Sequence, residues 1–278
     1  KRIGHAGSLD PIATGVLPIC FGQATRVVQF LADGNKTYLA EIELGAVTQT
    51  FDREGEITPV QDPGGITRAQ LEIALAAFHG DIEQLPPRYS ALKYQGKRHY
   101  QLARAGIQVA TKPRRVHITS IELVDYKLPL LTIKVTCSKG TYMRSIAHDL
   151  GQSLGCGAYL KNLTRLQCGT FNIKDALPVS EIKCIFHKGI WNEFLYPMDT
   201  PLLHWSAVIV DKANELAIKN GCYISLSEAH GITGDYCRAY NSEGQFIAIL
   251  HLTPDNNFWH PDKVFALDSS PAPLFYEE

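Results

Sequence analysis

The amino-acid sequence places an aspartate inside a loop whose shape is constrained by glycine and proline. Residues 4–18 contain three glycines and two prolines next to apolar segments, which is typical of a loop held in one conformation between buried elements. Asp10 precedes Pro11, which favours an extended backbone at Asp10 and directs its carboxylate out of the loop. Two roles are open from residue type and spacing alone: an Asx-turn side chain that organises the loop, or a positioned nucleophile or base.

The overall composition is that of an ordinary folded protein. The chain has 278 residues, of which 45% are hydrophobic and 20% charged, enough for one large domain or two smaller ones with a sizeable core. We expect no membrane span and no signal peptide, because no apolar stretch reaches about 18 residues and the first five residues lack a signal-peptide layout. The first residue is Lys rather than Met, so we expect the sequence to begin inside a longer chain.

The seven cysteines and ten histidines predict neither a disulfide framework nor a metal site. The number of cysteines is odd, no two have C-x-x-C spacing, and the histidines form no H-E-x-x-H pair. We expect most of the cysteines to be small buried hydrophobes, and the protein to work in the reducing cytoplasm without a catalytic metal.

The net charge of −1 is a cancellation between regions of opposite sign. Residues 1–199 carry 23 basic and 18 acidic side chains, whereas residues 200–278 carry 4 and 10. The window 88–118 has no acidic residue and eight basic ones, namely Arg88, Lys93, Lys97, Arg98, Arg104, Lys112, Arg114 and Arg115. Such a run can be a solvated face, but eight charges of one sign favour a nucleic-acid phosphate partner.

Hydrophobic periodicity supplies the elements that would position these residues. Helices are predicted over 68–79, where Thr67 and Gln70 form a capping box, over 96–104 and over about 142–154. Strands are predicted over 37–44 and 130–137. Helices and strands therefore interleave without a βαβ rhythm, which favours a mixed α+β sheet.

The last part of the chain differs from the rest. Short strands are predicted over 206–210, 221–226, 235–240 and 245–252, with a turn at 241–244. Prolines 197 and 201 supply a boundary before them. We therefore predict a small β-rich second domain from about residue 205.

The loop around Asp10 carries a resemblance to a known family. The run His5–Pro18, H-A-G-S-L-D-P-I-A-T-G-V-L-P, resembles the G-H-x-G-x-L-D-P-x-A-T-G-x-L motif of the bacterial tRNA pseudouridine synthase B (TruB) family, whose aspartate is catalytic. Four further blocks agree in order and spacing: Lys36–Tyr38, Thr48–Gly55, Tyr89–Lys97 and Cys137–Arg144. The resemblance is strong to about residue 200 and weak beyond it.

This resemblance implies a fold and a domain organisation. The expected fold is the α+β pseudouridine synthase fold, a mixed and mainly antiparallel sheet flanked by helices, followed by a small β-rich, PUA-like RNA-binding domain. The catalytic domain would span 1–204, with a basic thumb insertion at about 88–118, and the PUA-like domain 205–278. The family carries about 35 further residues before the histidine motif, a segment missing here.

The resemblance also implies a reaction, the isomerisation of uridine to pseudouridine at position 55 in the T-loop of tRNA. The base leaves the sugar at N1, turns in its pocket and rejoins through C5. The conversion is redox-neutral, so no cofactor is expected, neither nicotinamide nor ATP nor metal. Whether Asp10 attacks the sugar, attacks the base or follows a glycal route stays open.

Other site residues follow from the family motifs one position at a time. Arg144 matches the arginine that pairs with the catalytic aspartate, and Tyr38 the tyrosine that stacks on the target uracil and could assist proton transfer at C5. Tyr142 and Leu163 match positions that line the pocket, and His5 a histidine that contacts the flipped nucleotide. Asp52 fits an acidic position near the site.

The expected partner is the T-arm of tRNA, without a guide RNA and with the enzyme as a monomer. The target base must leave its stack to be reached, and the basic thumb would then hold the backbone through Lys93, Lys97, Arg98, Arg114 and Arg115. The thumb block argues against an RNA-guided relative, which lacks that insertion. Two alternative interpretations stay open: the protein could be a tRNA-folding factor without catalysis, or an aspartate-dependent nucleoside hydrolase.

Overall fold

A computed structural model describes residues 2–89, 93–94, 96–98, 101–102, 105–107, 111–226, 232–253 and 258–266. The strands are β1 Ile3–His5, β2 Ala13–Gly15, β3 Ile19–Phe21, β4 Lys36–Leu44, β5 Ala46–Val47, β6 Thr58–Pro59, β7 Gly80–Gln84, β8 Lys93–Tyr94, β9 Lys97–Arg98, β10 Arg114–Lys127, β11 Leu130–Cys137, β12 Ala158–Cys168, β13 Phe171–Asn172, β14 Ala207–Ile209, β15 Tyr236–Tyr240, β16 Phe246–Leu252 and β17 Trp259–Val264. The α-helices are α1 Val28–Asp33, α2 Arg68–Ala76, α3 Met143–Ser153, α4 Val179–Lys188 and α5 Lys212–Lys219. Short 3₁₀ helices occupy Gly22–Arg26, Ile173–Asp175, Trp191–Phe194 and Thr200–Leu202.

The chain divides into two compact units. The larger unit comprises Gly7–Pro18 and Ala32–Ala176, and the smaller unit comprises Lys1–Ala6, Ile19–Leu31 and Leu177–Glu278. Residues from Leu177 onward thus cluster with the C-terminal strands, earlier than the predicted domain boundary at 204/205. That functional boundary stays a prediction.

The larger unit is built on a seven-stranded sheet. Its strand order is β13-β12-β4-β11-β10-β7, with β2 added alongside β12. Only β2 pairs in parallel, and the other neighbours are antiparallel. Alternate residues of the central strand β4 are buried in one core with side chains of α2 and α3. The sheet is therefore mixed and mainly antiparallel with helices packed on it, which confirms the predicted fold class.

Several predicted elements are confirmed with small changes at their ends. Helix α2 begins with the predicted capping box, in which the Gln70 amide donates to Thr67 Oγ1 and the Thr67 amide to Gln70 Oε1. It ends at Ala76 rather than residue 79, and Gly80 starts a strand. Strands β4 and β11 and helix α3 follow the predicted segments to within a residue. Of the seven cysteines, five are buried, as expected, while Cys184 and Cys222 are exposed.

The helix predicted over 96–104 is wrong at its start. Strands β8 and β9 pair there as an antiparallel hairpin, and Gly96 between them has φ +82, the left-handed conformation that a short hairpin turn requires. Residues 101 and 102 are helical, whereas residues 99, 100, 103 and 104 lie outside the described part. Polar residues at helical spacing cannot be distinguished from a short hairpin by periodicity alone.

The smaller unit contains a four-stranded sheet in the order β14-β15-β16-β17. Its own core buries Ile218, Cys237, Ile247 and Trp259, among others. The β-rich C-terminal part is therefore confirmed. The strand predicted over 221–226 is wrong, because its only pairing within the described residues is an isolated bridge from Ile224 to Trp259. Helix α5 precedes it and was not predicted, although Asp211 caps it by accepting from the Asn214 amide.

A helix that spans a bilayer must be about 20 residues long and mainly apolar. Within the ranges given above, no helix is long and apolar enough to cross a membrane.

Candidate active site

A bidentate ion pair between Asp10 and Arg144 forms the centre of the site. Arg144 Nε lies 2.8 Å from Asp10 Oδ2, and Arg144 Nη2 lies 2.9 Å from Asp10 Oδ1. The Arg144 side chain is only 5% exposed and that of Asp10 is 32% exposed. The planar guanidinium fixes both carboxylate oxygens in one orientation, and the half-open side of Asp10 faces solvent. The structure thus joins two residues that the sequence had placed 134 positions apart.

Arg144 owes its position to the start of helix α3. Tyr142 is the N-cap residue, and Arg144 follows in the first turn of the helix. The backbone of Tyr142 is held by buried Gln84, whose amide group exchanges two hydrogen bonds of 2.7 and 3.0 Å with it. Gln84, at the end of β7, was not predicted, since a single glutamine at a strand end carries no sequence signal. It fixes the helix start from which Arg144 reaches Asp10.

Asp52 supplies a second carboxylate to the same guanidinium. Its Oδ2 lies 3.6 Å from Arg144 Nη1, and its side chain is 5% exposed. The other oxygen, Oδ1, accepts hydrogen bonds from Thr50 Oγ1 at 2.6 Å and from the Glu54 amide at 3.1 Å. The buried Arg144 guanidinium therefore lies between two carboxylates. Asp52 is buried, whereas Asp10 is partly open to solvent.

The segment that carries Asp52 has an unusual backbone. Phe51 has φ +63, the left-handed region that residues other than glycine rarely enter. Its ring stacks on His148 of α3, with centroids 3.9 Å apart and planes 10° apart. Because His148 lies one turn after Arg144, this stack fixes the Asp52 segment against the helix that carries the guanidinium.

Strand register brings Tyr38 and Leu163 to the sheet face beside the Asp10 loop. Leu163 is opposite Ala40 of β4 and also pairs with Ala13 of β2, three residues after Asp10. Because cross-strand partners share a face and the side-chain period is two, Tyr38 and Leu163 lie on the same core-facing side. Burial raises the pKa of Tyr38 to about 12, so the phenol is neutral at physiological pH.

Arg165 was not among the residues singled out from the sequence. Its side chain is 1% exposed, and it donates to the carbonyl oxygens of Gly7 and Val16, which flank Asp10. Strand β12 also contains Lys161, Asn162 and Gln167, so one more charged residue there gives no sequence signal.

Other predicted residues lie on β1, at the start of β10 or among the side chains that the structure does not describe. His5 ends β1 in the smaller unit and is exposed. Arg114 and Arg115 begin β10 and are exposed, and Arg115 Nη2 lies 3.0 Å from Asp81 Oδ2 on the neighbouring strand. The side chains of Lys93, Lys97 and Arg98 lie outside the described part, as do thumb residues 90–92, 95, 99–100, 103–104 and 108–110.

In the segments that the structure covers, no group of three or more His, Cys, Asp or Glu is arranged to hold a metal ion. Tyr142, predicted to line the pocket, is half-buried at the N-terminus of α3.

Family models match most of the chain. The model described as "TruB family pseudouridylate synthase (N terminal domain)" matches residues 1–143, and "tRNA pseudouridylate synthase B C-terminal domain" matches residues 144–203.

Curated relatives bear the name tRNA pseudouridine synthase B. One from Dehalococcoides mccartyi is 43% identical over 273 residues, which cover 98% of this chain and 90% of that protein. One from Pseudomonas aeruginosa is 41% identical over 258 residues, covering 92% and 84%. One from Clostridium acetobutylicum is 39% identical over 260 residues, covering 92% and 87%.

Solved structures share the fold at lower identity. A Cbf5-Nop10-Gar1 complex contains a chain with a TM-score of 0.71 and 23% identity, covering 96% of this chain and 77% of that chain. An H/ACA RNP bound to a substrate RNA containing 2′-deoxyuridine contains one with a TM-score of 0.71 and 20% identity, at the same coverage.

Proposed function

The chain belongs to the TruB family of pseudouridylate synthases, and on that premise we propose that it acts on uridine 55 in the T-loop of tRNA with Asp10 as the catalytic residue. As a member of that family it is an isomerase that converts uridine in tRNA to pseudouridine. The single observation that carries the proposal for Asp10 is its bidentate pairing with Arg144 at 2.8 and 2.9 Å.

The reaction moves one bond and one proton. The bond from the sugar C1′ to N1 of uracil breaks, the base turns, and a bond from C1′ to C5 forms, after which C5 loses its proton and N1 gains one. An ionised carboxylate must therefore lie beside the sugar and the uracil when the reaction begins, whichever of the three routes Asp10 follows. Arg144 supports this role, because a fixed guanidinium favours the ionised carboxylate without covering its exposed side.

The neighbouring side chains support a pocket for the detached base. We propose that Tyr38 stacks on the uracil and that Leu163 and Tyr142 line the pocket, since Leu163 shares a sheet face with Tyr38 and Tyr142 starts the Arg144 helix. In that position Tyr38 relays the proton that C5 loses, its phenol oxygen accepting one proton as its hydroxyl releases another. His5 is proposed to contact the flipped nucleotide, on the basis of its place in the motif.

The RNA partner is proposed from charge and family together. The basic window 88–118 is the expected phosphate-binding thumb, with Lys93, Lys97, Arg98, Arg114 and Arg115 on the backbone of the T-arm. The C-terminal β-rich part is proposed as a PUA-like RNA-binding domain, and the enzyme as a cytoplasmic monomer that needs no guide RNA. Extruding the uridine costs a few kcal/mol of stacking, which pocket contacts must replace.

Tritium release from tRNA tests the catalytic proposal. A tRNA transcript tritiated at uracil C5 should release tritium with the wild-type chain, because isomerisation at C5 exchanges that proton. Asp10→Asn should reduce release to background. Asp62→Asn is the matched control, since Asp62 is exposed and, among the described residues, accepts a hydrogen bond from the Gly64 amide alone. Its rate should stay within about twofold of wild type.

The outcomes separate the remaining functions. Replacing uridine 55 by cytidine in the transcript should abolish release, and release that persists would refute the position. Release by Asp10→Asn at the wild-type rate would refute Asp10 as the catalytic residue. Binding of tRNA without any release would indicate a tRNA-folding factor, and liberation of free uracil from uridine would indicate a nucleoside hydrolase.

A further inference from the structure

Arg165 is a buried cation without a carboxylate partner among the described residues. It belongs to the side chains that are less than 2% exposed, and no ion pair involves it in the described ranges. Burying a charge is costly unless fixed dipoles replace its hydration. A group maintained at that cost needs a structural or functional reason.

Its hydrogen bonds join the two stems of the Asp10 loop. Arg165 Nε lies 2.7 Å from the carbonyl oxygen of Val16, and Nη2 lies 3.1 Å from that of Gly7. Gly7 lies three positions before Asp10, and Val16 lies six positions after it. The backbone of Arg165 adds a third connection, because its carbonyl accepts from the Val16 amide at 2.9 Å. One residue thus holds the loop at both ends.

Gly15 of the loop is required by its contact with Arg165. Gly15 has φ +99, and a Cβ there would lie 2.2 Å from the carbonyl oxygen of Arg165, far inside van der Waals contact. Gly7 has φ +77, which L residues rarely adopt, but a Cβ there would meet Arg165 Nη1 at an ordinary contact distance of 3.4 Å. Only glycine permits the approach at Gly15 without strain, so the loop sequence and Arg165 fit one another.

The same guanidinium reaches the tyrosine of the site. Arg165 of β12 is the cross-strand partner of Tyr38 of β4. Its charge and a hydrogen bond lower the pKa of Tyr38, opposing the larger rise that burial causes. Arg165 therefore contacts the Asp10 loop on one side and Tyr38 on the other, while Arg144 contacts the Asp10 carboxylate itself.

We propose that Arg165 is a positioning residue that fixes the Asp10 loop and Tyr38 relative to each other through the carbonyls of Gly7 and Val16. The inference rests on the proposed function of Asp10 and Tyr38. Arg165 acts through these residues and touches no reacting atom. A lysine retains the charge but has no planar fork, so it cannot reproduce the same set of bonds.

Kinetics of Arg165→Lys and Arg165→Met test the proposal. We expect the single-turnover rate of tritium release to fall by about 10²-fold in both variants, because a displacement of about 1 Å in a catalytic group has an effect of that size. The dissociation constant for tRNA should stay within about threefold, since the phosphate contacts are elsewhere. Leu131→Ala is the matched control: Leu131 is equally buried in the same sheet, and its cross-strand partner on β4 is Ile42, four residues from Tyr38.

Hydrogen exchange of the loop supplies a readout independent of activity. Arg165→Lys should speed amide exchange in residues 7–18 by at least about tenfold while leaving β11 unchanged. Leu131→Ala should not change the loop selectively. If Arg165→Met does not fold, Arg165→Lys carries both measurements.

Two results would overturn the proposal. One is a rate for Arg165→Lys no lower than that of Leu131→Ala, and the other is unchanged exchange in residues 7–18. An inactive wild-type chain would instead refute the proposed function, and the exchange measurement would still decide whether Arg165 holds the loop.

Discussion

Replacing Asp52 by asparagine separates the charge of this carboxylate from its hydrogen bonds. Asparagine has the same shape, and its Oδ1 can still accept from Thr50 Oγ1 and the Glu54 amide. The amide group would then face Arg144 Nη1, 3.6 Å away, in place of the negative oxygen. Arg144 would keep only Asp10 as an anionic partner, and the guanidinium would be free to shift toward it.

The expected loss of stability follows from the distance between Asp52 and Arg144 and from the burial of both side chains. Two unit charges 3.6 Å apart interact by about 4–5 kcal/mol at an effective dielectric constant of about 20. Part of this is offset because a neutral amide costs less to bury than a carboxylate. We expect the free energy of unfolding to fall by about 1–3 kcal/mol in Asp52→Asn. Asp52→Ala should lose about 1–2 kcal/mol more, because it also leaves the Thr50 hydroxyl and the Glu54 amide without their carboxylate acceptor.

Urea denaturation measures the stabilities, and single-turnover tritium release measures the catalytic effect. The rate should fall well beyond the loss of folded protein, because Arg144 orients Asp10, whereas tRNA affinity should be unchanged. Asp62→Asn, which removes an exposed carboxylate, is the control for charge alone. If Asp52→Asn matched the wild type in both stability and rate, the charge of Asp52 would have no part in holding Arg144.

Two further predictions concern backbone and protonation. Gly15→Ala should destabilise the fold by about 3 kcal/mol or more, measured by urea denaturation, because a Cβ at φ +99 meets the Arg165 backbone at 2.2 Å; wild-type stability would contradict that close approach. Burial lowers the pKa of His148, with Asp149 opposing the shift, so the unfolded chain binds the proton more readily. Stability should therefore be lost as the pH falls through the unfolded value of about 6.5, and between about pH 7.5 and 5.5 the wild type should lose more of its free energy of unfolding than His148→Gln does; equal losses would show that His148 does not contribute.

Regular elements with a strong pattern could be predicted from the sequence. Strand β4 alternates in burial along most of its length, and Thr67 and Gln70 mark the start of α2 with a capping box, so both signals are local. The hairpin of β8 and β9 could not be predicted in the same way, because two-residue strands have no measurable period. The sequence analysis does not predict helix α5, although Asp211 caps it, because α5 is short and lies between two segments predicted as strands.

The site was predictable only where a motif extends over many residues. Asp10 and Arg144 were identified through the family blocks, and residue types alone left the role of Asp10 open. Their pairing depends on where β2 and α3 fall in the larger unit, a long-range property that local pattern does not contain. Gln84 gave no signal at all, because its role is to hold the backbone of Tyr142 rather than to take part in chemistry.

The two buried arginines show why charge alone does not reveal function. Arg144 binds two carboxylates, so its role can be inferred from any sequence comparison that locates Asp10. Arg165 binds backbone carbonyls, which every residue has, so no partner residue type marks it. Only the three-dimensional path of the loop shows that its stems meet at that guanidinium. Sequence patterns therefore find groups that act through side-chain chemistry more readily than groups that act by holding the backbone in place.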